Sequence, residues 1–222
     1  MVEHYRKKYG YRKKNYIVMP CFNQEIHADC FYGEKYRFPS FVYAGSLVKW
    51  QSFDETVCLF NKIKKQIKNA SLTIITSDIE EAKQRLLVAG LSDIEVKTVP
   101  YYELNNELSK YKYGFLLLEN IILNNVATPT KMSSYLACGV IPIYSAIIKD
   151  FDKQLGHLRW IVRDYENQDE TVERILEIEK RSPEAREIFE EYSNVFDSYY
   201  RREKYIDKIA QSIKLCLDRV RA

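Results

Sequence analysis

Residues Asn124 to Tyr144, NNVATPTKMSSYLACGVIPIY, are the stretch that decides the fold of this chain. They begin as a polar loop and continue as a short helix. Thr128 is predicted to be its N-cap, because a threonine hydroxyl can accept a hydrogen bond from the first turn. Pro129 is predicted at the first helical position, where its missing N–H costs nothing. The apolar run from Val140 to Tyr144 predicts a buried strand after the helix.

The first turn of that helix is suited to bind an anion. The N–H groups around Thr130 and Lys131 point out of the helix end, where the helix dipole favours negative charge. Lys131 adds a full positive charge in the same turn. The spot therefore suits a phosphate or a diphosphate, although an ordinary capped helix with a surface lysine explains the stretch equally well when it is taken alone.

A second segment, Phe41 to Gln51 (FVYAGSLVKWQ), predicts a strand that ends in a glycine turn and leads into a helix. In an open α/β sheet the turns after the strands lie at the carboxyl edge, where ligands bind. We expect Gly45 and Ser46 in this turn, assisted by Lys49, to face the same crevice as Lys131.

Strands and helices alternate along the middle of the chain. Further strands are predicted at Leu72–Thr76, Ile94–Val99, Tyr113–Leu118 and Leu158–Val162, and helices at Ser52–Lys68, Ile79–Ala89, Tyr102–Lys110 and Ile148–Leu155. This order predicts an α/β fold, a Rossmann-like parallel sheet with helices on both faces. After Asp164 the pattern predicts only helices, a helical C-terminal tail.

The pattern divides the chain into three parts. Residues 41–164 are the expected Rossmann-like domain, and residues 165–222 are the C-terminal helices. Residues 1–40 are expected to be the remnant of an N-terminal domain and a linker, because Tyr16–Pro20 is predicted as a short buried strand with no place in the downstream sheet. A natural one-domain protein is the alternative.

The composition limits the classes of protein to which this chain can belong. The 222 residues are 46% hydrophobic, which is enough for one good core. No apolar run is long enough to span a bilayer, and no signal-peptide pattern is visible. The five cysteines and three histidines lie far apart, so we expect no metal site. Cys58 and Cys138 are predicted to be small core residues, and a reducing cytoplasm fits this cysteine usage best.

A basic cluster with interleaved tyrosines, Tyr5 to Lys14, stands out from a net charge of only +3. Such a cluster suits an anionic membrane surface or nucleic acid, and it equally suits the solvated end of a helix, which is the commoner case. We expect no nucleic-acid partner. Contact with the inner face of a membrane stays open as a peripheral interaction of a cytoplasmic protein.

Three motifs together resemble the C-terminal, donor-binding domain of a GT-B fold glycosyltransferase, of the retaining family 4 or group 1. They are Tyr-x-Gly-Ser-Leu-x-Lys-Trp-Gln from Tyr43, Pro-Thr-Lys from Pro129, and Tyr-Leu-Ala-Cys-Gly-Val from Tyr135. The resemblance spans roughly Phe41 to Ser145. It implies metal-independent hexosyl transfer in polysaccharide or glycoconjugate synthesis, with a nucleoside-diphosphate sugar as substrate and no cofactor. It also implies an N-terminal acceptor domain across a cleft, without which this chain would be inactive.

The resemblance also implies a set of donor-binding residues. Tyr101 would stack on the nucleobase, Asn124 or Asn125 would bind sugar hydroxyls, and Ser134 takes the place of the residue that binds the ribose. The full expected set is Gly45, Ser46, Lys49, Gln51, Tyr101, Asn124, Asn125, Thr128, Thr130, Lys131 and Ser134.

The chain departs from the family pattern at four charged positions. Ser46 and Gln51 stand where the family has an arginine and a lysine, and Val126 and Ser134 stand where it has two glutamates. No catalytic residue can therefore be placed. Two other readings stay open: a non-catalytic nucleotide-binding or scaffold module with a decayed site, and a GT-B-like sugar-nucleotide epimerase. The epimerase would need carboxylates and histidines at the cleft.

Overall fold

One six-stranded sheet forms the centre of the molecule. The computed structural model describes residues 1–164 and 167–221, without the side chains of residue 150 and residues 219–221. The strands are β1 (Ser40–Ala44), β2 (Ser71–Ile75), β3 (Glu95–Lys97), β4 (Tyr113–Leu116), β5 (Ile141–Ser145) and β6 (Val162–Asp164). They run in the order β3-β2-β1-β4-β5-β6, and all five neighbouring pairs are parallel. The predicted Rossmann-like α/β fold is confirmed.

Ten helices lie in the described part of the chain. They are α1 (Val2–Tyr9), α2 (Phe53–Gln66), α3 (Ile79–Val88), α4 (Leu104–Leu108), α5 (Ile122–Asn125), α6 (Thr130–Ala137), α7 (Lys149–Leu155), α8 (Gln168–Arg181), α9 (Ala185–Ser198) and α10 (Arg202–Arg221). Short 3-10 helices occur at Ala28–Cys30, Gly33–Arg37, Lys49–Gln51 and Tyr101–Glu103.

The strands β1 to β3 are added in one direction along the sheet, and the strands β4 to β6 are added in the other. Right-handed crossovers therefore place α2 and α3 on one face, and α6 and α7 on the other.

The central strands are buried along their whole length. Every residue of β4 and β5 is buried, because helices cover both faces of a parallel sheet. Phe41 on β1 stacks on Tyr113 of β4, with ring centroids 4.7 Å apart. The Phe41 ring also stacks on Phe115 of β4, with ring centroids 5.7 Å apart. These aromatic contacts join the two halves of the sheet where its strand order reverses.

Helix α6 is seated tightly on β4. A Cβ atom at Gly114 would lie 2.7 Å from Cζ of Tyr135, so only glycine leaves room for this ring. The Tyr135 hydroxyl donates a hydrogen bond to the Phe115 carbonyl at 3.0 Å. Both contacts fix α6, and so its first turn, against the strand beside the reversal point.

The segment before the sheet differs from expectation. Tyr16–Pro20 is not a strand, and Val18 is 58% exposed, because the residues find no neighbouring strand with which to pair. The following connector packs on the end of α6, where Tyr36 donates to the Gly139 carbonyl at 2.7 Å and the His27 amide donates to that of Ala137 at 3.1 Å.

Two further predictions are wrong in detail. Cys58 is exposed, because it lies on the outer side of α2, whereas Cys138 is buried as predicted. Strand β6 shares only Val162 with the predicted strand Leu158–Val162. It continues instead into Arg163, whose charge is accommodated at the sheet edge by an ion pair with Asp152 at 2.6 Å.

The tail is helical as predicted, with α8 and α9 packed through buried residues such as Ile175 and Tyr192. In α10 the apolar side chains are largely exposed, with Ile206, Ile213 and Leu217 about half accessible to solvent.

Candidate nucleotide-binding site

Helix α6 begins one residue later than predicted. Pro129, with an extended ψ of 119°, occupies the N-cap position, and Thr130 is the first helical residue. Thr128 is therefore not the N-cap, and Pro129 is not the first residue of the helix. The N-cap residue makes no side-chain hydrogen bond to this end of α6. The Met132 amide donates to the Pro129 carbonyl at 3.1 Å, so the amides of Thr130 and Lys131 are the ones oriented outwards at the carboxyl edge of the sheet.

Lys131 meets the turn that follows β1. Its Nζ atom donates a hydrogen bond to Oε1 of Gln51 at 2.9 Å and lies 5.1 Å from the centroid of the Tyr43 ring. A Cβ atom at Gly45 would lie only 2.8 Å from the same Nζ atom. The glycine turn after β1 and the first turn of α6 thus share one crevice between the carboxyl ends of β1 and β4. This is the point where the strand order reverses and where ligands bind in sheets of this kind.

The Lys131 ammonium is short of negative charge. Among the described residues no carboxylate forms an ion pair with it, and a neutral amide and an aromatic face are weak substitutes for water. Burial lowers the pKa of Lys131 to about 8. A bound anion would supply the missing charge and raise that pKa again.

Two loops form the wall of the crevice and are held together by Asn124. This buried residue donates from Nδ2 to the Trp50 carbonyl at 3.1 Å and to the Glu119 carbonyl at 2.8 Å. The Glu119 amide also donates to the Trp50 carbonyl at 3.2 Å. Both amide hydrogens of Asn124 are therefore engaged in joining the loop after β1 to the loop after β4.

The other residues expected after β1 and β4 lie at the surface of the crevice. Ser46 is exposed, and its carbonyl accepts a hydrogen bond from the Tyr43 hydroxyl at 2.5 Å. Lys49 has an 87% exposed side chain, 3.8 Å from the Glu119 carboxylate. Asn125 donates to Asn120 at 3.1 Å, and its own Oδ1 is buried without a partner in the described structure.

Other expected residues lie further out. Thr128 is half-buried and Thr130 is exposed. Tyr101 is 71% exposed and follows β3, at the far edge of the sheet from β4. The structure therefore brings Gly45, Gln51 and Lys131 into direct contact and leaves Tyr101 apart from them.

Ser134 faces the connector rather than open space. Its hydroxyl lies 3.2 Å from Oδ1 of Asn23, which also accepts a hydrogen bond from Ser133 at 2.9 Å. Asn23 had no signal in the sequence, because it lies in an irregular segment over a hundred residues away. Glu119 was also missed, although its position directly after an apolar strand is a signal for the carboxyl edge.

Two kinds of feature are lacking in the described residues. No group of three or more acidic, histidine or cysteine side chains is arranged to hold a metal ion. No described helix has both the length and the apolar character needed to cross a bilayer.

Solved structures share this fold. No protein-family model and no curated protein matches the chain. The C-terminal domain of LpcC, a glycosyl transferase group 1 family protein from Francisella tularensis, matches with a TM-score of 0.56 and 10% identity, over 80% of this chain and all of that one. TarM matches with a TM-score of 0.61 and 10% identity, over 89% of this chain and 37% of that one. A complex of TarM from S. aureus contains UDP.

An alpha-glucosyltransferase solved with UDP and DNA matches with a TM-score of 0.60 and 13% identity, over 84% of this chain and 55% of that one. This chain spans less than two fifths of the length of the TarM chains that it matches. It therefore has the fold of the C-terminal half of a GT-B glycosyltransferase.

Proposed function

We propose that this chain is the nucleotide-sugar-binding half of a glycosyltransferase, which transfers a hexose without a metal ion in polysaccharide or glycoconjugate synthesis. The observation that carries the proposal is the Lys131 ammonium at the strand-order reversal, which forms no ion pair with a carboxylate of the described residues. UDP bound to solved proteins of the same fold supports a nucleoside diphosphate as the anion.

The diphosphate would be held by charge and backbone together. In metal-independent transfer, the charge that develops on the leaving group is stabilised by side chains and helix ends. Lys131 would supply the ammonium, and the uncapped first turn of α6 would supply N–H donors. Gly45 would let the diphosphate approach the β1 turn closely, because it has no side chain there.

Sugar and ribose recognition would rest on neutral groups. Asn125 has a buried Oδ1 without a partner in the described structure, and Ser134 lies on α6 beside Asn23. Neutral partners bind hydroxyls more weakly than carboxylates do.

We propose that the acceptor binds to a second domain across the crevice and that the exposed basic helix α1 reaches an anionic membrane surface on the cytoplasmic side.

A second candidate is a nucleotide-binding module without catalysis. The observation that favours it is the replacement of four charged family positions by Ser46, Gln51, Val126 and Ser134. Such a module would bind a nucleoside diphosphate as well as the enzyme does, but it would not turn over any donor.

Calorimetric titration with a panel of nucleoside diphosphates tests the shared part of both candidates. We expect one member to bind and Lys131→Ala to weaken its affinity about 10- to 150-fold, the loss of a charge-assisted contact worth about 1.5–3 kcal/mol. Lys65→Ala is the matched control, because this exposed lysine near the end of α2 lies toward the amino ends of the strands, away from the candidate site. Equal affinity of wild type and Lys131→Ala would place the site elsewhere, and failure of wild type to bind any member would refute both candidates.

A further inference from the structure

The end of α6 opposite to Lys131 is covered by the connector. A Cβ atom at Gly139 would lie 2.9 Å from Cδ1 of Phe31, so the Phe31 ring of the connector packs directly on the backbone that follows α6. The Lys35 ammonium bridges the two segments, since Nζ lies 2.5 Å from the Cys138 carbonyl and 3.3 Å from the Cys30 carbonyl. This contact places Cys30 of the connector beside Cys138 at the end of the helix.

The backbone carbonyls of Cys30 and Cys138 are held on one ammonium group, and the two thiols interact closely enough to shift each other's pKa in opposite directions. Cys138 is buried, whereas Cys30 is half-buried and therefore within reach of a small molecule. Lys35 is 5% exposed, and no carboxylate of the described residues pairs with it. A thiolate at Cys30 would be the counter-charge that this buried cation lacks.

The surroundings favour that thiolate. Interaction with the Cys138 thiol is the main cause that lowers the pKa of Cys30 to about 7. Lys35 and Ser109 lower it further, and burial and Asp29 oppose the shift. Burial also lowers the pKa of Lys35 to about 7. The nearby Tyr32 and Tyr36 have a raised pKa, mainly through burial, so both phenols stay neutral at this pH.

We propose that Cys30 is a modification site for low-molecular-mass disulfides of the glutathione class and that Cys138 resolves the product into an intrachain Cys30–Cys138 disulfide. The Cys30 thiolate attacks one sulfur of glutathione disulfide. The S–S bond of that disulfide breaks, and one glutathione leaves as a thiolate that takes a proton from water. Cys138 then gives its proton to water and attacks the mixed disulfide at the Cys30 sulfur, which releases the second glutathione. Two protein thiols are oxidised and one glutathione disulfide is reduced.

The disulfide would fasten the connector covalently to the C-terminal end of α6. In a reducing compartment such a bond is transient and responds to redox state. The proposal does not depend on nucleotide binding, because its residues lie at the other end of the helix from Lys131.

The first test is equilibration of the folded chain with reduced and oxidised glutathione, followed by acid quenching and non-reducing peptide mass spectrometry. Digestion with trypsin and a Glu-specific protease separates Cys21 from Cys30 at Glu25. We expect a linked Cys30–Cys138 peptide that has lost two hydrogens. In Cys138→Ala we expect Cys30 to remain as the glutathione mixed disulfide. The exposed Cys21, Cys58 and Cys216 are internal controls.

The second test is the pH dependence of iodoacetamide labelling, measured for each cysteine. We expect a midpoint near pH 7 for Cys30. It would then carry ~15-fold more thiolate at neutral pH than free cysteine, whose pKa is about 8.5. Cys138→Ala should move the Cys30 midpoint upwards. Absence of the linked peptide at every glutathione ratio, or a Cys30 midpoint no lower than that of Cys21, would overturn the proposal.

Discussion

Lys131 carries a positive charge that no carboxylate in the described part of the chain neutralises. Gln51 supplies one neutral oxygen and Tyr43 the face of a ring, and burial lowers the pKa of the lysine to about 8. Anion binding would favour the ammonium form, because the negative charge offsets the cost of burial. The affinity for a nucleotide should therefore depend on the protonation state of Lys131.

The affinity for a nucleoside diphosphate is expected to fall as pH rises through 8. Below pH 8 the free protein already carries the ammonium, whereas above pH 8 binding must take up a proton. The affinity should drop about tenfold between about pH 7 and about pH 9. Calorimetry in buffers of different ionisation enthalpy should detect the proton uptake. In Lys131→Ala the profile should be flatter, and parallel profiles for the two proteins would contradict this role of Lys131.

At the level of residues, the sequence predicted that Lys131 and the turn after β1 would face each other, but it did not predict the long-range contacts around them. Gly45 and Lys131 are recognisable because each sits at a turn where glycine or a helix start has a specific physical use. Asn23 and Ser134 meet only because the connector folds back over α6, and no local pattern encodes that long-range contact. The role of Asn124 in joining two loops is likewise a tertiary property.

Helix α6 is the element that positions the site. Its first turn carries Lys131, its middle packs Tyr135 on Gly114, and its last residues are covered by the connector. The alternation of apolar runs predicted this helix and its flanking strands, because buried parallel strands are almost wholly apolar. The start of the helix was misplaced by one residue, since Pro129 suits the N-cap region and the first turn alike.

Gly114→Ala is expected to destabilise the fold by about 1–3 kcal/mol, the usual cost of overpacking. The new methyl group would lie 2.7 Å from Cζ of Tyr135, a fully buried ring whose hydroxyl is held by the Phe115 carbonyl. Urea unfolding measures the loss. Gly33→Ala is the control, since nothing lies within 4 Å of a Cβ atom there. Equal midpoints for the two variants would show that α6 is not wedged against β4.

On the scale of the whole molecule, the helical tail is joined to the sheet through a buried ion pair. Lys112, which precedes β4, is 1% exposed and lies 2.6 Å from Glu179 on α8. The Tyr113 hydroxyl donates to the same carboxylate at 2.6 Å. The sequence predicted both the sheet and the tail, but it could not predict their attachment, because a lysine before an apolar strand normally faces solvent.

Lys112→Met should destabilise the protein by about 3 kcal/mol. The variant leaves the Glu179 carboxylate without its cation in a largely buried place, although Tyr113 remains as a donor. The double variant Lys112→Met, Glu179→Met should recover part of the loss, because it removes both charges. Lys180→Met, on the exposed side of α8, is the control for urea unfolding. A loss in Lys112→Met no larger than in Lys180→Met would show that the pair does not hold the tail.

This chain alone is expected to bind a nucleotide without transferring a sugar. The crevice offers a cation and helix amides for a leaving diphosphate, but its carboxylate at the β4 end, Glu119, is paired with Lys49 at 3.8 Å. Under our proposal the acceptor and its general base belong to a second domain, so the purified chain should bind the nucleoside diphosphate and yet release none from any nucleotide sugar. A coupled assay for released diphosphate, run over a panel of donors with simple sugar acceptors, measures this. Calorimetric binding in the same sample is the control for a folded site. Donor turnover that is lost in Lys131→Ala would contradict the expectation and would place the whole active site within these residues.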